Sequence, residues 1–431
     1  MNKKATKVRY GVVLMLFMTV IVNYMDRSNI SIAAPFITKE LDIDSVKMGL
    51  IFSAFGWTYC ALQIPGGWLL DKLGNRKTHA IGIAGFSLMT LLQGFASGFS
   101  GLMFMRVGLG AFEAPAFPTN SKVAASWFPE NERARAISIY TSGQFIGLAF
   151  LTPTLIFFEQ TFGWRGLFII AGIIGLAWSV LWFLFYRDPN KSKRVNQAEL
   201  DYIREGDGLV LSEKAVKSKI SAKDLGIVLS NRKLWGIYIG QFAVNSTLWF
   251  FLTWFPTYLV EYRGMGFIKT GFLASLPFIA AFIGVLSSGF LSDFLVKKGV
   301  SKDKARKTPI ITGLLLATAI IGANYVNSPA LIVLFMSIAF FGNGFASITW
   351  VFVSLLAPKR LIGIAGGVFN FIGGTASIII PIVIGFLVKG GNFAPALTFI
   401  ACVTLMGALS YIFLVGKVER VAEGEDVKKV A

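Results

Sequence analysis

The chain has 431 residues, of which 55% are hydrophobic and only 15% are charged. Soluble domains average roughly 45–50% apolar and about 25% charged residues. This excess of apolar residues excludes a large soluble helical protein, because so much apolar surface needs lipid around it rather than one larger core.

Twelve apolar runs are long enough to cross a bilayer, which takes ~20 residues per helix. The first six lie near residues 11–32, 48–70, 79–97, 101–124, 135–157 and 163–186. The second six lie near residues 233–259, 267–294, 308–325, 329–354, 362–387 and 393–416. The pattern predicts an all-α polytopic membrane protein with twelve transmembrane helices in two pseudo-symmetric six-helix bundles.

The net charge of +18 is compatible with nucleic-acid binding, but the positions of the charges exclude that partner. With the N-terminus in the cytoplasm, six Lys and Arg residues lie in outer segments and three inside spans, which leaves 32 of the 41 in cytoplasmic segments. An excess of Lys and Arg in cytoplasmic loops is the positive-inside rule. We therefore predict a multi-pass membrane protein with both termini in the cytoplasm.

The longest polar stretch divides the two sets of spans. We predict an N-terminal bundle over residues 1–187, a cytoplasmic linker over 188–231 and a C-terminal bundle over 232–431. The two halves carry related sequences after their second span, and internal duplication of this kind is typical of transporters.

The duplicated sequence is an acidic motif. Its first copy contains Gly67, Asp71, Gly74 and Arg76, and its second copy centres on Asp293 but lacks the mid-motif Gly and Arg. We interpret the motif as a gate, in which an acid near a helix end is opposed by bases in the next loop. The alternative is that Asp71 only caps and solvates a loop.

Four charged residues fall well inside the spans: Asp26 and Arg27 in the first, and Arg106 and Glu113 in the fourth. A charge at the bilayer centre costs at least ~2.5–3.5 kcal/mol, so each one needs a reason. Arg106 and Glu113 are seven residues apart on one helical face, and the predicted depths allow all four to neutralise one another. Either the cluster only fixes helix packing, or Asp26 and Glu113 carry a coupled proton, because arginine does not lose its own.

The sequence lacks the residues that a histidine relay, a metal site or an enzyme active site would need. The single histidine, His79, is predicted at a loop edge, which excludes a histidine relay, and Cys60 and Cys402 give no metal spacing or disulfide framework. With no nucleophile–base set either, we predict that the protein is not an enzyme and needs no metal or cofactor beyond protons as the coupling ion.

Uncharged polar side chains also occur inside the spans. They are Tyr24, Tyr59 and Gln144 in the first half and Gln241, Asn343, Ser347, Trp350 and Asn370 in the second. The i, i+4, i+7 spacing of Asn343, Ser347 and Trp350 predicts a shared helix face. Amides and hydroxyls suit a polyhydroxylated ligand, and an indole offers an apolar face; interhelical hydrogen bonds are the alternative role for each residue.

Three runs carry a family resemblance: Tyr24-Met-Asp26-Arg27-Ser-Asn29, the segment 106–120 and the segment 342–350. They resemble the anion:cation symporter branch of the major facilitator superfamily. The resemblance implies inward, proton-coupled uptake of a sugar-acid anion by alternating access, with D-galactonate as the first expectation and glucarate or a hexuronate left open. An organic-anion exchanger and a non-translocating sensor are the competing functions.

The same resemblance implies roles for individual residues. Proton handling falls on Asp26 and Glu113, with Arg106 as their partner. Substrate contacts fall on Tyr24, Arg27, Tyr59, Gln144, Gln241, Ser347, Trp350 and Asn370. We expect a monomer that contacts membrane lipid and a small sugar-acid anion.

Overall fold

The structure is a computed structural model that describes residues 5–206, 208, 222–358 and 361–421. Its first helices are α1 (Val8–Glu40), α2 (Ser45–Ala61), α3 (Gln63–Gln93), α4 (Phe99–Glu113), α5 (Ala116–Trp127), α6 (Glu130–Phe185) and α7 (Gln197–Glu205). The remaining ones are α8 (Ala222–Ser230), α9 (Arg232–Thr253), α10 (Phe255–Thr257), α11 (Phe267–Lys297), α12 (Lys302–Ala317), α13 (Pro329–Phe345), α14 (Trp350–Leu356), α15 (Ile362–Gly374), α16 (Ala376–Leu387) and α17 (Ala394–Phe413). These described ranges contain no strand.

The chain forms two compact units. The first comprises Met1–Ile43 and Ala54–Ser218, and the second comprises Asp44–Ser53 and Lys219–Ala431. Helix α2 therefore begins in the second unit and ends in the first.

The prediction of twelve helical spans is confirmed, although some spans are joined into longer runs. Helix α6 has 56 residues and covers the fifth and sixth spans, which are separated at Gly163 by a φ of 69°. Gly74, with a φ of 76°, separates the second span from the third within α3. Glycine adopts positive φ at little cost, so the chain makes a tight turn at each of these two residues. By length and apolar composition alone, seven helical runs of the described residues can cross a membrane.

The fourth span is interrupted where proline removes a backbone donor. Helix α4 ends at Glu113, and Pro115 stands before the start of α5 at Ala116. Proline has no N–H to continue the helical hydrogen bonds. The break places Glu113 at the last residue of α4, beside a discontinuity of the backbone.

The tenth span is a continuous helical run with a local irregularity. Helix α13 ends at Phe345, a 3₁₀ turn covers Ser347–Thr349, and α14 begins at Trp350. A 3₁₀ turn has three residues per turn and shifts the angular register. Asn343 is 2% exposed whereas Trp350 is 50% exposed, and the shared face of Asn343, Ser347 and Trp350 stays a prediction.

Many large apolar side chains point away from the protein interior. Phe104, Phe150 and Phe290 are 71%, 74% and 77% exposed, respectively. Soluble monomers rarely expose large contiguous apolar patches, whereas lipid tails solvate such side chains well. The outer surface of these helices is therefore suited to a bilayer.

Helix α7, in the predicted linker, is anchored to the first unit by a fully buried carboxylate. Glu199 is 0% exposed and accepts hydrogen bonds from Thr6 Oγ1 at 2.6 Å, Val8 N at 3.1 Å and Arg9 Nη1 at 3.0 Å. Arg9 also pairs with Glu132 of α6 at 3.0 Å. Because the first N–H groups of a helix lack intrahelical partners, Glu199 caps α1 from a distant part of the chain.

We predict that Glu199→Ala lowers the free energy of unfolding by about 1–3 kcal/mol, because buried donors at the start of α1 lose their acceptor. Thermal unfolding of the purified protein in detergent measures the change. The matched control is Asp201→Ala on the same helix, where the side chain is 48% exposed. Equal melting temperatures for the two variants would contradict the capping role.

Candidate functional site

The first unit contains a buried ion pair between α1 and α4. Arg27 Nε and Nη2 lie 2.8 Å and 2.7 Å from Glu113 Oε1. Asn23 Nδ2 donates to the same oxygen at 3.0 Å. The side chains of Arg27 and Glu113 are 5% and 0% exposed. Asn23 and Arg27 meet Glu113 together because they lie one turn apart on α1.

Aromatic rings surround the Arg27 guanidinium. Its central carbon lies 4.9 Å from the Tyr24 ring, 5.0 Å from the Phe55 ring and 4.9 Å from the Tyr59 ring. A desolvated cation over an aromatic face gains ~2 kcal/mol or more. The rings therefore help to hold the guanidinium in place, while its Nε donates to Glu113.

Asp26 and Arg106 complete the cluster. Asp26 is 0% exposed, and its Oδ2 accepts a long hydrogen bond of 3.5 Å from Ser87 Oγ. Arg106 is also 0% exposed and interacts electrostatically with both Asp26 and Glu113. The structure thus brings together the two acids and two bases singled out in the sequence. The direct ion pair of Glu113 is with Arg27, whereas the resemblance named Arg106 as its partner.

The remaining polar residues of the first half adjoin this cluster. Tyr24 Oη donates to Gln144 Oε1 on α6 at 2.8 Å. Tyr59 stacks on Phe55 with centroids 5.0 Å apart and an interplanar angle of 22°. Tyr24, Arg27, Tyr59 and Gln144 therefore form one continuous group of contacts on α1, α2 and α6.

The second unit has its own polar group, centred on Gln241 of α9. Gln241 Oε1 accepts a hydrogen bond from Thr349 Oγ1 at 2.6 Å, and its Nε2 lies 3.5 Å from Asn245 Oδ1. On α15, Gly373 leaves room for this side chain, since a Cβ there would come within 2.5 Å of Gln241 Cγ. The amide is thereby positioned from both α9 and the 3₁₀ turn.

Three further predicted residues belong to the second unit. Trp350 is half exposed and packs edge-on to Phe369, with ring centroids 4.8 Å apart. Ser347 lies in the 3₁₀ turn just before α14, and Asn370 lies in α15; both are partly exposed. Hydroxyl, amide and indole groups are thus available on this unit.

The first acidic motif makes two separate contacts. Asp71 Oδ1 pairs with Lys122 Nζ of α5 at 2.7 Å. Arg76 donates from Nε and Nη2 to the Phe183 carbonyl at 2.8 and 2.6 Å. An added Cβ at Gly67 would meet no atom within 4 Å, so Gly67 is not a close-packing site. The base opposing Asp71 comes from α5 and not from the loop that follows the motif.

Two predicted features lie apart from these clusters. Asp293 falls in α11, and its side chain lies outside the described residues. His79 was predicted at a loop edge, which is wrong: it is 2% exposed and packs edge-on to Trp182 at 4.4 Å. The reason is that α3 resumes directly after the Gly74 turn.

The described residues hold no cluster of three or more His, Cys, Asp or Glu able to bind a metal.

Sequence reasoning missed two contacts. Asn23 was detectable, because it lies four residues before Arg27 on the same helix and must share its face. Thr349 was not, because its contact with Gln241 depends on a helix break with no strong local signal.

We predict that Arg27 and Glu113 are energetically coupled. Removing one partner of a buried pair leaves an uncompensated charge and costs about 3–5 kcal/mol, so Arg27→Met and Glu113→Gln each destabilise. The double variant should recover about 0.5–3 kcal/mol relative to the sum of the singles. Thermal unfolding of the four proteins measures the cycle, and strict additivity would refute the pair.

Comparisons with known proteins agree with this architecture. A family model described as Major Facilitator Superfamily matches residues 16–381. The chain is 55% identical to a D-galactonate transporter of Escherichia coli O6:H1, over 96% of this chain and 97% of that protein. It is 43% identical to a probable galactarate/D-glucarate transporter of Bacillus subtilis strain 168, over 97% and 94%. The crystal structure of a D-xylose-proton symporter matches with a TM-score of 0.72 at 14% identity, over 95% and 98%, which supports the fold alone.

Proposed function

The chain belongs to the major facilitator superfamily, and from that premise we propose that it carries D-galactonate into the cell together with protons. Family membership makes it a membrane transporter and not an enzyme. Transport of small sugar acids agrees with the functions of its relatives, a D-galactonate transporter and several probable galactarate/D-glucarate transporters. The proposal concerns the particular acid, the direction and the coupling ion.

The observation that carries the proposal is the Arg27–Glu113 pair. Both nitrogens of Arg27 that approach Glu113 contact a single oxygen, Oε1, and Oε2 has no hydrogen-bond partner among the described residues. A guanidinium binds carboxylates through paired N–H donors. The carboxylate of a sugar acid therefore competes with Glu113 for the same cation.

Competition for Arg27 couples the anion to a proton. When the substrate takes the guanidinium, Glu113 becomes a buried carboxylate without its direct counter-ion, which is a costly state. Uptake of a proton removes that cost, so anion and proton bind with mutual reinforcement, as linkage requires. Asp26, one residue from Arg27 and equally buried, is the second proton carrier of the proposal, with Arg106 acting on both acids.

The second group of contacts suits the hydroxylated part of the substrate. Gln241, Ser347 and Asn370 offer amide and hydroxyl groups, and Trp350 offers an apolar ring face, as carbohydrate chains require. In the first unit Tyr24, Tyr59 and Gln144 supply the same kinds of group beside Arg27.

The charges favour a monocarboxylate over a dicarboxylate such as glucarate. Arg27 is the substrate-directed cation of the first unit, because Arg106 is 0% exposed and lies against Asp26 and Glu113. The predicted spans of the second half contain no mid-membrane Lys or Arg. A second carboxylate would thus be desolvated without a cation to pair with it.

The distribution of Lys and Arg supports the orientation. We propose a bacterial inner-membrane protein with both termini in the cytoplasm, by the positive-inside rule. In this orientation the Gly74 turn and the Asp71–Lys122 pair face the cytoplasm, and the C-terminal end of α3 faces outward. The unit of transport is proposed to be the monomer, with protons as the only coupling ion.

We predict that an inward proton gradient drives D-galactonate accumulation in proteoliposomes. Glu113→Gln should abolish this accumulation but preserve exchange of external for internal substrate, because glutamine mimics the protonated acid. The matched control is Glu159→Gln, which alters another buried carboxyl group, 5% exposed, on α6. Accumulation that ignores the gradient in the unmodified protein would overturn proton coupling, and equal loss of accumulation and exchange in Glu113→Gln would assign Glu113 a structural role.

We also predict that Arg27→Lys weakens D-galactonate binding by about 1.5–3 kcal/mol, the value of a hydrogen bond to a charged group, because lysine lacks the paired N–H geometry. Isothermal titration of the purified variants measures the affinity, with Lys122→Arg as the charge-conserving control away from the cluster. Unchanged affinity in Arg27→Lys would rule out bidentate capture of the carboxylate.

A further inference from the structure

A row of buried polar side chains leads away from Asp26. On α3, Ser87, Thr90 and Gln93 follow one another at intervals of three residues, and on α1 Asn29 lies three residues beyond Asp26. All five side chains are 0% exposed. Each step of three residues turns a helix about 60° short of a full turn, so the three α3 side chains follow an oblique line along that helix. The line meets α1 at Asp26, whose carboxylate accepts the Ser87 hydrogen bond.

Several polar atoms of this row have no protein partner among the described residues. They are Asp26 Oδ1, Asn29 Oδ1, Asn29 Nδ2 and Gln93 Oε1. More than about 90% of buried polar groups in proteins have a partner, whether protein or ordered water. Each group left without one costs about 1–3 kcal/mol, and a buried water typically bridges two to four such groups.

Helix α6 leaves room for the Ser87 side chain through a glycine. A Cβ at Gly175 would come within 2.0 Å of Ser87 Oγ, so a glycine is required where α6 passes the hydroxyl. The hydroxyls of Ser87 and Thr90 both face the Asp26 carboxylate.

The row has a direction. From Ser87 to Gln93 it rises six residues along α3, or roughly 9 Å at 1.5 Å per residue, and it ends at the last residue of that helix. In the proposed orientation this is the outer end. The charged groups that face Asp26 come from α4, where Arg106 and Glu113 both interact with it, so the α3 side supplies only neutral groups.

We propose that Ser87, Thr90, Gln93 and Asn29 hold a file of buried water that conducts the coupled proton from the outer end of α3 to Asp26. The inference rests on the proposed proton symport and adds an entry route that does not pass the Arg27 substrate contact. A water or hydroxyl oxygen can accept a proton from one neighbour while it passes its own proton to the next, because it carries both an O–H donor and free lone pairs. A proton arriving at the outer end is therefore relayed by successive exchange and ends on Asp26 Oδ1, with no net change along the file. The amides of Asn29 and Gln93 position the waters.

The test compares isosteric changes on one helix. Thr90→Val removes the hydroxyl and keeps the shape, Thr90→Ser keeps the hydroxyl, and Gln93→Leu removes the amide. Thr78→Val is the matched control. Thr78 is also on α3, is 2% exposed and has no hydrogen-bond partner for Oγ1 among the described residues. It precedes Ser87 in the helix, whereas Thr90 and Gln93 follow Ser87. Proteoliposomes are assayed both for proton-driven D-galactonate uptake and for substrate exchange at equal pH.

We expect Thr90→Val and Gln93→Leu to slow proton-driven uptake by about tenfold, equivalent to about 1.4 kcal/mol in the barrier. Exchange should be unchanged, because an exchanging carrier keeps its proton, and Thr90→Ser and Thr78→Val should behave as the unmodified protein does. If Thr90→Val fails to fold, Gln93→Leu carries the same test. If Thr90→Val and Gln93→Leu take up D-galactonate as fast as Thr78→Val does, the water file is overturned and the symport is not. If uptake by the unmodified protein does not depend on the proton gradient, the symport on which the water file rests is overturned.

Discussion

The structure depends on the cost of holding charge out of water. Asp26, Arg27, Arg106 and Glu113 of the first unit are each at least 95% buried, and such a group is tolerated only with counter-charges and hydrogen bonds around it. Arg27 and Glu113 meet this requirement directly at 2.7 Å. Because Arg27 is the direct ion-pair partner of Glu113, any anion that displaces Glu113 from Arg27 disturbs this balance and requires compensation.

That demand explains why the predicted spans of a fold made mostly of apolar helices contain so few charges. The helices supply a rigid, lipid-facing frame with exposed phenylalanines, and their interruptions lie beside functional positions. Glu113 ends α4 next to Pro115, and Ser347 lies in the 3₁₀ turn between α13 and α14. Backbone irregularity within a membrane protein is tolerated where it is buried in protein or lines a cavity. The exposed half of Trp350 beside such a break is therefore consistent with ligand contact.

Much of this architecture was predictable from the sequence, because hydrophobic length and Lys/Arg asymmetry act over whole spans. The charged cluster was predictable for the same reason: intramembrane charges are so few that Asp26, Arg27, Arg106 and Glu113 had to be considered together. The pairing within the cluster was not predictable. The depth of a residue in the membrane can be predicted only to within a few ångströms, which does not decide whether Arg27 or Arg106 contacts Glu113. The 3₁₀ turn of the tenth span was not predictable, because such a turn among glycines is set by close tertiary contacts, such as that of Gly344 with Ala281. The cap of α1 by Glu199, about 190 residues away in sequence, left no local signal either.

The central claim is that binding of a sugar-acid anion and binding of a proton reinforce each other through Arg27 and Glu113. The most direct measurement is the pH change when D-galactonate is added to the purified protein in weakly buffered detergent solution, followed with a pH indicator. The account predicts net proton uptake from solution on binding, reduced in Glu113→Gln. Binding that leaves the pH of the solution unchanged, with full affinity, would contradict it.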